Sequence, residues 1–349
     1  MGYIYMIKLE CNLEFNLESI VKDFCKTLNV SVADFNGSRK LNGSIQDKYT
    51  LEGRISKDSQ QVTLIEVNPA GRFGNNLHQI LHASFIAEQI GAQHLLLDKI
   101  SLPSFGGLNG SAFNDFFKLN EAENERIKES NLALKGDFFH VHTFANVLDK
   151  INKEWLVHFS STKLHSLYGL NPENLNTSNS IAVHIRSGDL FTSKPNPWYV
   201  QPPLAYYINA VKTIQAMHDV EGVKLIFEDR LNPVVDALEA KLYELGISYE
   251  SHSSTKMVDD AQILLESNYI IAGKGSFVPA LCILSGGKNL VACYKKFGNA
   301  GHEYVSKIVE NMLVFNDRQG DYMTRGWVNS EEQRRQMIDY PEEEIVLVS

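Results

Sequence analysis

The stretch Ile181-Ala-Val-His-Ile-Arg-Ser-Gly-Asp-Leu-Phe191 decides the fold class, because it joins a buried strand to a charged loop. An apolar run of this length that ends at Ser187-Gly188-Asp189 predicts a strand whose carboxyl end bears Arg186 and Asp189. In open α/β sheets, ligands bind at that end of a strand. Arg186 and Asp189 are therefore candidate ligand contacts, although two such charges at a strand exit can also simply pair with each other.

The sequence that follows this stretch predicts a regular alternation of strands and helices. Strands are predicted at 181–186, 223–228, 247–250, 269–272 and 289–294, and helices at about 204–217, 233–245, 258–268 and 277–285. Strands separated by helices of this length indicate crossover connections and a parallel, doubly wound sheet. The carboxyl-terminal half is thus predicted to contain a Rossmann-like domain.

A second unit of the same kind is predicted earlier in the chain. Its predicted elements are a strand at 62–67, a turn at 68–74, a helix from about 75 to 90, strands at 94–98 and 138–142, and part of a helix at 155–159. Gly91 follows the long helix at the position where a left-handed residue ends many helices. The polar, turn-rich stretch 170–180 is the predicted linker between the two units.

The length of 349 residues is more than one ordinary domain needs, and the predicted class is α/β with two Rossmann-like domains. The predicted organisation is an α/β extension at 1–60, a first Rossmann-like domain at 61–175, a second at 176–310, and a helix with a tail at 311–349. The extension is predicted to hold a strand at 3–9 and a helix near 16–28, and to pack on the first domain.

The charge and the apolar runs exclude several kinds of partner. With 33 Lys and Arg against 42 Asp and Glu, the formal net charge is −9, which argues against nucleic acid or an anionic membrane surface as the main partner. No apolar run approaches the roughly 20 residues that span a bilayer, and the N-terminus has no basic leader. A cytoplasmic protein is therefore expected. Reduced core thiols are expected for Cys11, Cys25, Cys282 and Cys293.

Gly71-Arg-Phe-Gly-Asn-Asn76 lies between a predicted strand and a predicted helix. Two glycines three residues apart permit close backbone approach, and the amides at a helix start favour an anion or sugar hydroxyls. The motif lacks the third glycine of the dinucleotide-binding fingerprint. A tight turn with Arg72 in solvent is the alternative interpretation.

Two later strand ends carry further candidates. Gly273-Lys-Gly-Ser276 precedes a helix with Pro279 in its first turn, where the first amides and the Ser276 hydroxyl favour a phosphate. Lys and Ser are not arranged as a Walker loop requires, so ATP or GTP hydrolysis is not predicted. Glu228 and Asp229 end another strand, where acidic side chains often accept hydrogen bonds from ribose or a base. A plain turn and a surface charge are the respective alternatives.

His78 and His82 are spaced to lie on one face of the helix at 75–90. Two such histidines can bind zinc, but no third ligand is near in sequence and no glutamate follows His78. The chain contains no Asp-x-Asp pair, which disfavours the divalent-metal nucleotide-sugar sites built on such a pair. No metal site and no cofactor are predicted.

In order along the chain, four motifs resemble the fucosyltransferase superfamily: Gly71-Arg-Phe-Gly-Asn75 before a helix, His184-Ile-Arg-Ser-Gly-Asp189 at a strand end, Glu228-Asp229 after the next strand, and Gly275-Ser276-Phe277 opening a late helix. That group includes the bacterial α-1,2-fucosyltransferases, the α-1,6-fucosyltransferases and the protein O-fucosyltransferases. The matching motifs fall within 62–294, about two thirds of the chain. The resemblance implies the GT-B fold, with two Rossmann-like domains facing a cleft, and GDP-fucose as the donor.

The resemblance also implies roles for individual residues. Arg186 is expected to contact the donor diphosphate and assist the departure of GDP, with Asp189 as its orienting partner. Further donor contacts are expected from Gly71, Arg72, Gly74, Asn75, His184, Asp229, Gly275, Ser276 and Phe277. The neighbouring second arginine of the family is Ser187 in this chain, and its glutamine after Asn75 is here Asn76.

The resemblance implies metal-independent, inverting transfer of fucose from GDP-fucose to a hydroxyl of a glycan or glycoconjugate. The domain at 61–175 would face the acceptor, and the domain at 176–310 would bind the nucleotide sugar. Candidates for a base that takes the acceptor proton are His78, His82, His140, His142 and Asp98. His78 is favoured because it lies one turn past the glycine-rich turn. A different nucleotide-sugar donor, or a catalytically silent module that binds a sugar or nucleotide, are the alternatives.

Overall fold

The computed structural model describes residues 50–53, 62–69, 71–97, 100, 102–105, 116–118, 132–139, 145–253, 256–295, 309 and 311–348, together with Lys26 and Ser306. The predicted strand at 3–9 lies outside these ranges, and of the predicted helix near 16–28 they include Lys26, which is helical. The chain divides into two compact units. Unit 1 comprises 1–102, 108–155 and 166–168, and unit 2 comprises 103–107, 156–165 and 169–349.

Unit 1 is built on a mixed sheet. Within the described residues its strands are β1 (Thr50–Gly53), β2 (Val62–Val67), β3 (His94–Leu96), β4 (Phe117–Lys118) and β5 (Leu132–Gly136), in the order β1-β5-β2-β3-β4. The strands β5, β2, β3 and β4 run parallel, while β1 pairs antiparallel with β5. Almost all of β2 is buried, as expected of a central parallel strand.

The long helix of unit 1 is α1 (Phe73–Ile90), which follows β2 after a short turn. Gly91 ends it in the left-handed region at φ 70°, and the Gly91 amide donates to the carbonyl of Glu88. The predicted helix is confirmed, but it starts at Phe73 and not near Asn75. The turn predicted at 68–74 is therefore shorter, and its last two residues belong to the helix.

The prediction of a strand at 138–142 is wrong for Phe138 and Phe139, the two residues of this range that the structure describes. The strand of this region is β5, which ends at Gly136. Phe138 has φ 52°, a left-handed conformation that does not continue a strand. The helix predicted at 155–159 is confirmed. Residues 145–168 include α2 (Ala145–Leu148), α3 (Lys153–Phe159), a π-helical segment at Ser160–Leu164, and α4 (His165–Tyr168).

Unit 2 alternates strands and helices as predicted. Its elements are β6 (Ser178–Ile185), α5 (Leu204–Met217), β7 (Val223–Phe227), α6 (Val234–Glu244), β8 (Tyr249–His252), α7 (Met257–Glu266), β9 (Ser267–Ala272), α8 (Phe277–Leu284), β10 (Leu290–Tyr294), β11 (Asn311–Asp317), α9 (Glu331–Asp339) and β12 (Ile345–Leu347). The bounds of α5 match the prediction. The last residues of the predicted linker at 170–180 already belong to β6. The predicted α/β class is confirmed.

The strand order of unit 2 defines a switch point. Among the described residues the order is β12-β11-β10-β9-β6-β7-β8, and all neighbours are parallel except β11 and β12. From β6 the chain builds outward through β7 and β8, and β9 then returns to the other side of β6. Such a reversal leaves a crevice at the carboxyl ends of the strands, where ligands bind in open α/β sheets.

Residues 311–348 extend the sheet of unit 2, a role that the sequence did not indicate. A parallel strand, β11, lies beside β10, and β12 pairs antiparallel with β11. The indole of Trp327 is fully buried, and its N–H donates to the carbonyl of Leu190 at 2.7 Å. This contact fixes the loop that follows β6.

Cys282 and Cys293 are buried free thiols, as expected. Cys11 and Cys25 lie outside the described residues. In the part of the chain that the structure describes, no helix has both the length and the apolar character needed to cross a membrane.

Candidate active site

Three strand ends meet at the switch point of unit 2. The register pairs the last residues of β6 with Phe227 of β7 and with Ala272 of β9. The residues that come next, Arg186 after β6, Glu228 after β7 and Gly273 after β9, therefore lie at one edge of the sheet. The structure thus brings together the three motifs that sequence analysis selected in this half of the chain.

Arg186 is largely shielded from solvent and is paired with a carboxylate. Its Nη2 lies 2.7 Å from Oδ1 of Asp189, and the two side chains are 18% and 50% exposed. The buried Nε of Arg186 has no hydrogen-bond partner among the described residues. Asp189 thus fixes one side of the guanidinium, which has further N–H donors. The ion pair and a ligand contact, which the sequence left as alternatives, are compatible.

Ser187 is fully buried and ties the loop after β6 to the loop after β7. Its hydroxyl donates to Oδ1 of Asp229 and accepts from the amide of Asn232, 3.0 Å away. The side-chain amide of Asn232 also donates to the carbonyl of Arg186 at 2.8 Å. Ser187 therefore positions the backbone beside Arg186, and a guanidinium in its place would be buried among these groups.

Asp229 organises the same loop. Its Oδ1 accepts the Ser187 hydroxyl and the amides of Leu231 and Gly188, at 2.9 and 3.4 Å for the two amides. Gly188 has φ 61°, and a Cβ there would overlap the carboxylate of Glu228. These contacts give Asp229 a structural role, and its contact with a donor stays a prediction.

We expect Ser187→Ala to lower the free energy of unfolding by about 1–3 kcal/mol, because the buried amide of Asn232 would lose its acceptor. Urea or thermal unfolding of the purified variant measures this loss. Ser251→Ala is the matched control, since Ser251 also donates to a carboxylate, that of Glu239, but is exposed. The control should change stability by less than about 0.5 kcal/mol. Equal stability of the two variants would contradict the structural role of Ser187.

The loop after β9 packs directly against the end of β6. The amide of Gly273 donates to the carbonyl of His184 at 2.9 Å, and a Cβ on Gly273 would lie 2.7 Å from that oxygen. Gly275 has φ 145°, and a Cβ there would lie 4.0 Å from Nη1 of Arg186. Gly273 therefore lets the backbone of this loop pack against the end of β6, and the positive φ of Gly275 favours glycine at the position nearest Arg186.

Ser276 and Phe277 open α8 directly after this loop. Ser276 is the N-cap residue, although its hydroxyl does not cap the helix. The first-turn amides of a helix point outward without helical partners, which suits an anion. The ring of Phe277 lies against His184, with centroids 5.3 Å apart. The structure therefore places both predicted residues beside the end of β6.

His184 is held neutral at the same edge. Burial, and secondarily the charge of Arg186, lower the pKa of its imidazole to about 3. Its buried Nδ1 has no hydrogen-bond partner within the described ranges. A neutral imidazole adds no charge next to Arg186 but can still give or accept a hydrogen bond.

Asp260 belongs to this edge, and sequence analysis did not select it. Burial, together with the charges of Asp259 and Glu228, raises the pKa of its carboxyl to about 7. The buried Oδ1 of Asp260 lacks a hydrogen-bond partner among the described residues. One signal was present in the sequence, because Asp260 lies in the first turn of α7 on the stripe that contains the buried Ala261 and Leu264. A charged residue on an apolar stripe indicates a ligand site or a buried pair.

The glycine-rich motif of unit 1 forms the start of α1. Gly71 has φ 79°, Arg72 is the exposed N-cap residue, and Gly74 and Asn75 lie in the first helical turn. A Cβ at Gly71 would overlap the side-chain amide of Asn75. The motif is thus the tight strand-to-helix turn of the alternative interpretation, and donor contacts from its residues stay a prediction.

The two histidines of α1 are buried, each 2% exposed, with ring centroids 6.2 Å apart. Nδ1 of His82 lies 2.8 Å from the carbonyl of Phe138, and the ring of His78 packs edge-on against Phe139. These contacts give His82 a structural role, and the role of His78 as a base stays a prediction. The other base candidates lie outside the described residues: Asp98, His140 and His142. Across the described ranges, no three His, Cys, Asp or Glu side chains are grouped so as to hold a metal ion.

The edge of unit 2 combines a fixed guanidinium, a glycine-lined backbone and a helix start at the switch point of a parallel sheet. These features suit a nucleotide diphosphate, the part of a donor that a glycosyltransferase using nucleotide sugars must bind. A profile of Glycosyl transferase family 11 matches residues 108–310, more than half of the chain, and the protein belongs to that family. The resemblance to fucosyltransferases is thereby confirmed. No curated protein matches the sequence.

The match to the family includes the strand-end motifs of unit 2 and leaves out Gly71–Asn75. The chain is therefore an enzyme, a fucosyltransferase-like glycosyltransferase. Its match covers the part of the molecule where Arg186, Asp229 and Ser276 come together.

Proposed function

We propose that the protein transfers fucose from GDP-fucose to a hydroxyl of a glycan or glycoconjugate, with inversion at the anomeric carbon and without a metal ion. Membership of Glycosyl transferase family 11 supports fucose as the transferred sugar. The observation that carries the proposal is the position of Arg186 at the switch point, beside the Gly273–Ser276 loop, with an Nε that has no partner among the described residues. A guanidinium that is fixed by a carboxylate and has further N–H donors suits a leaving diphosphate.

Departure of the nucleotide develops negative charge on the phosphate and positive, oxocarbenium-like charge on the sugar. Arg186, held by Asp189, donates to the phosphate oxygens as this charge grows. The Ser276 hydroxyl and the first-turn amides of α8 directly follow Gly275, which approaches Arg186, and are expected to bind the same phosphates. Because these donors are in place before the reaction, they need little reorganisation, which supports catalysis without a metal ion.

Asp260 is our candidate for recognition of guanine. Guanine presents two adjacent N–H donors, and a carboxylate has two oxygens that can accept both. Uracil and thymine lack this donor pair, so a carboxylate at this position favours guanine. The buried Oδ1 of Asp260, which has no hydrogen-bond partner among the described residues, supports this assignment.

Inversion follows when the acceptor hydroxyl attacks the sugar from the face opposite the departing diphosphate. A base that takes the hydroxyl proton assists this attack. His78 of unit 1 remains the predicted base, and the two-domain GT-B arrangement remains the predicted frame for the reaction.

A panel of donors tests the proposed function. The purified protein is incubated with GDP-fucose, GDP-mannose, UDP-galactose or dTDP-rhamnose, and release of the nucleoside diphosphate is measured with and without EDTA. We expect slow hydrolysis of GDP-fucose in the absence of an acceptor, at a rate that EDTA does not change. Release of the nucleoside diphosphate from another donor instead would show that this donor, and not GDP-fucose, is the substrate. A rise in melting temperature without release would instead indicate a silent binding module.

A further inference from the structure

The loop Gly273–Ser276 carries a cation that the proposed function has not used. Lys274 stands between the two glycines that approach the end of β6. Its Nζ donates to the carbonyl of Trp198 at 2.5 Å and lies 5.9 Å from the centre of the Tyr199 ring. The side chain is half-buried, and burial lowers the pKa of its amine to about 8.

We propose that Lys274 is a second cation for the donor diphosphate, and that its ammonium leaves the Trp198 carbonyl to bind a phosphate oxygen when the nucleotide sugar enters. The inference rests on the proposed function, because that function places a diphosphate at this loop. It adds a donor-binding residue next to Arg186.

The backbone on both sides of Lys274 fixes what the lysine can reach. On one side the amide of Gly273 is bonded to the carbonyl of His184, and on the other a Cβ at Gly275 would lie 4.0 Å from Nη1 of Arg186. Both neighbours of Lys274 in the sequence therefore lie close to the end of β6. Its flexible four-carbon stem lets the ammonium exchange one oxygen acceptor for another near Arg186 while the loop stays in place.

The charges at this edge favour a second cation. Carboxyl groups are contributed by Asp189, Glu228, Asp229 and Asp260, and Arg186 is already paired with the first of them. A nucleotide diphosphate brings further negative charge to a partly buried place, where like charges repel more strongly than in water. An ammonium from the adjacent loop offsets this repulsion.

In the donor-free protein, the ammonium of Lys274 would gain a stronger acceptor if an anion were bound nearby. Its ammonium is partly removed from water and donates to a carbonyl, a neutral acceptor, and the lowered pKa of its amine reflects that burial. A phosphate oxygen is a charged acceptor, and hydrogen bonds that involve charged groups are roughly twice as strong as neutral ones. A bond from the ammonium to a phosphate oxygen would therefore be stronger than its bond to the Trp198 carbonyl.

A purely structural lysine is the competing explanation. In that case Lys274 would only hold the loop of Trp198 and Tyr199, and its loss would weaken every ligand of the site alike. A phosphate contact would instead weaken only ligands that carry the diphosphate. Lys274→Gln separates the two explanations, because glutamine can still donate to the Trp198 carbonyl but has no charge.

Calorimetric titration with GDP and with guanosine tests the inference. For Lys274→Gln we expect the Kd of GDP to rise about tenfold and the Kd of guanosine to stay unchanged. Lys274→Arg, which keeps the charge, should recover part of the loss. Lys212→Met is the matched control, because Lys212 is a surface lysine paired with Glu342, and it should change neither Kd. Thermal unfolding verifies that each variant is folded, and Lys274→Met is the second variant if the glutamine protein is unstable.

An unchanged Kd of GDP in the folded variant would overturn the inference. Equal losses for GDP and guanosine would also overturn it, since they would show that Lys274 only holds the loop. If the wild-type protein prefers another nucleoside diphosphate, the proposed donor fails. A loss of affinity for that nucleotide, but not for its nucleoside, in Lys274→Gln would then still support the inference. If the wild-type protein binds no nucleoside diphosphate, both the proposed function and the inference fail.

Discussion

Replacement of Arg186 by alanine is expected to lower the rate of fucose transfer by about 100- to 1,000-fold, because removal of one preorganised donor at a developing charge has an effect of that size. The loss should appear in kcat more than in stability. Asp189 would lose this ion pair, but its side chain is 50% exposed and water can replace the guanidinium there. Initial rates with GDP-fucose, together with thermal unfolding of the same samples, measure the two effects.

Two further variants make this test specific. Arg318→Ala removes an exposed arginine next to the end of β11 and should transfer at the wild-type rate. Arg186→Lys keeps the charge but loses the planar fork of donors, so an intermediate rate is expected. Near-normal transfer by a folded Arg186→Ala protein would contradict the assignment of Arg186 to the diphosphate.

The alternation in unit 2 could be predicted because buried parallel strands are nearly continuous apolar runs. The stretch Ile181–Ile185 is such a run, and polar turns separate it from its neighbours, so the predicted and observed bounds differ by a few residues. The same signal was misleading at Phe138–Phe139, where two aromatic residues suggested a strand but the backbone turns left-handed. The strand signal was also missed in β11 and β12, which lie beyond the regular alternation and beside the polar helix α9 and the acidic run Glu342–Glu344.

The site was predictable where it depends on strand ends and not where it depends on tertiary contacts. Arg186, Asp229 and Ser276 each follow a strand, so the topology of a parallel sheet brings them together. The inward direction of Ser187 depends on the backbone of its loop, at φ −136° and ψ −139°, which no local pattern indicates. The raised pKa of Asp260 depends on Glu228, a residue from a different strand end.

Three ionisable groups at this edge are less charged than in water when no donor is bound. Burial lowers the pKa of His184 to about 3 and that of Lys274 to about 8, and raises the pKa of Asp260 to about 7. Such groups make the native state less stable than it would be with apolar residues in their place. Clusters of perturbed groups are common at functional sites.

Asp260→Asn is expected to weaken binding of GDP-fucose by about 100-fold or more, because two charge-assisted hydrogen bonds to guanine are altered. Asparagine keeps the shape of the side chain, but its NH₂ group would face an N–H donor of guanine. Asp259→Asn is the matched control, since Asp259 is an exposed neighbour in the same helical turn. Calorimetry with the sugar nucleotide measures both variants, and equal affinities for them would contradict the guanine assignment.

The pH dependence gives a second test of Asp260. Because the pKa of Asp260 is raised to about 7, the donor-free protein carries it mainly protonated near pH 6 and mainly ionised near pH 8. Only the carboxylate accepts both guanine donors, so the affinity of the wild-type protein for GDP-fucose should rise over this interval relative to the affinity of Asp260→Asn, in which Lys274, with a pKa of about 8, still titrates. The raised pKa also means that the stability contributed by the protonated form is lost as pH rises through about 7. Donor-free Asp260→Asn should therefore be more stable than the wild-type protein near pH 8, and a lower melting temperature there would contradict this account of Asp260.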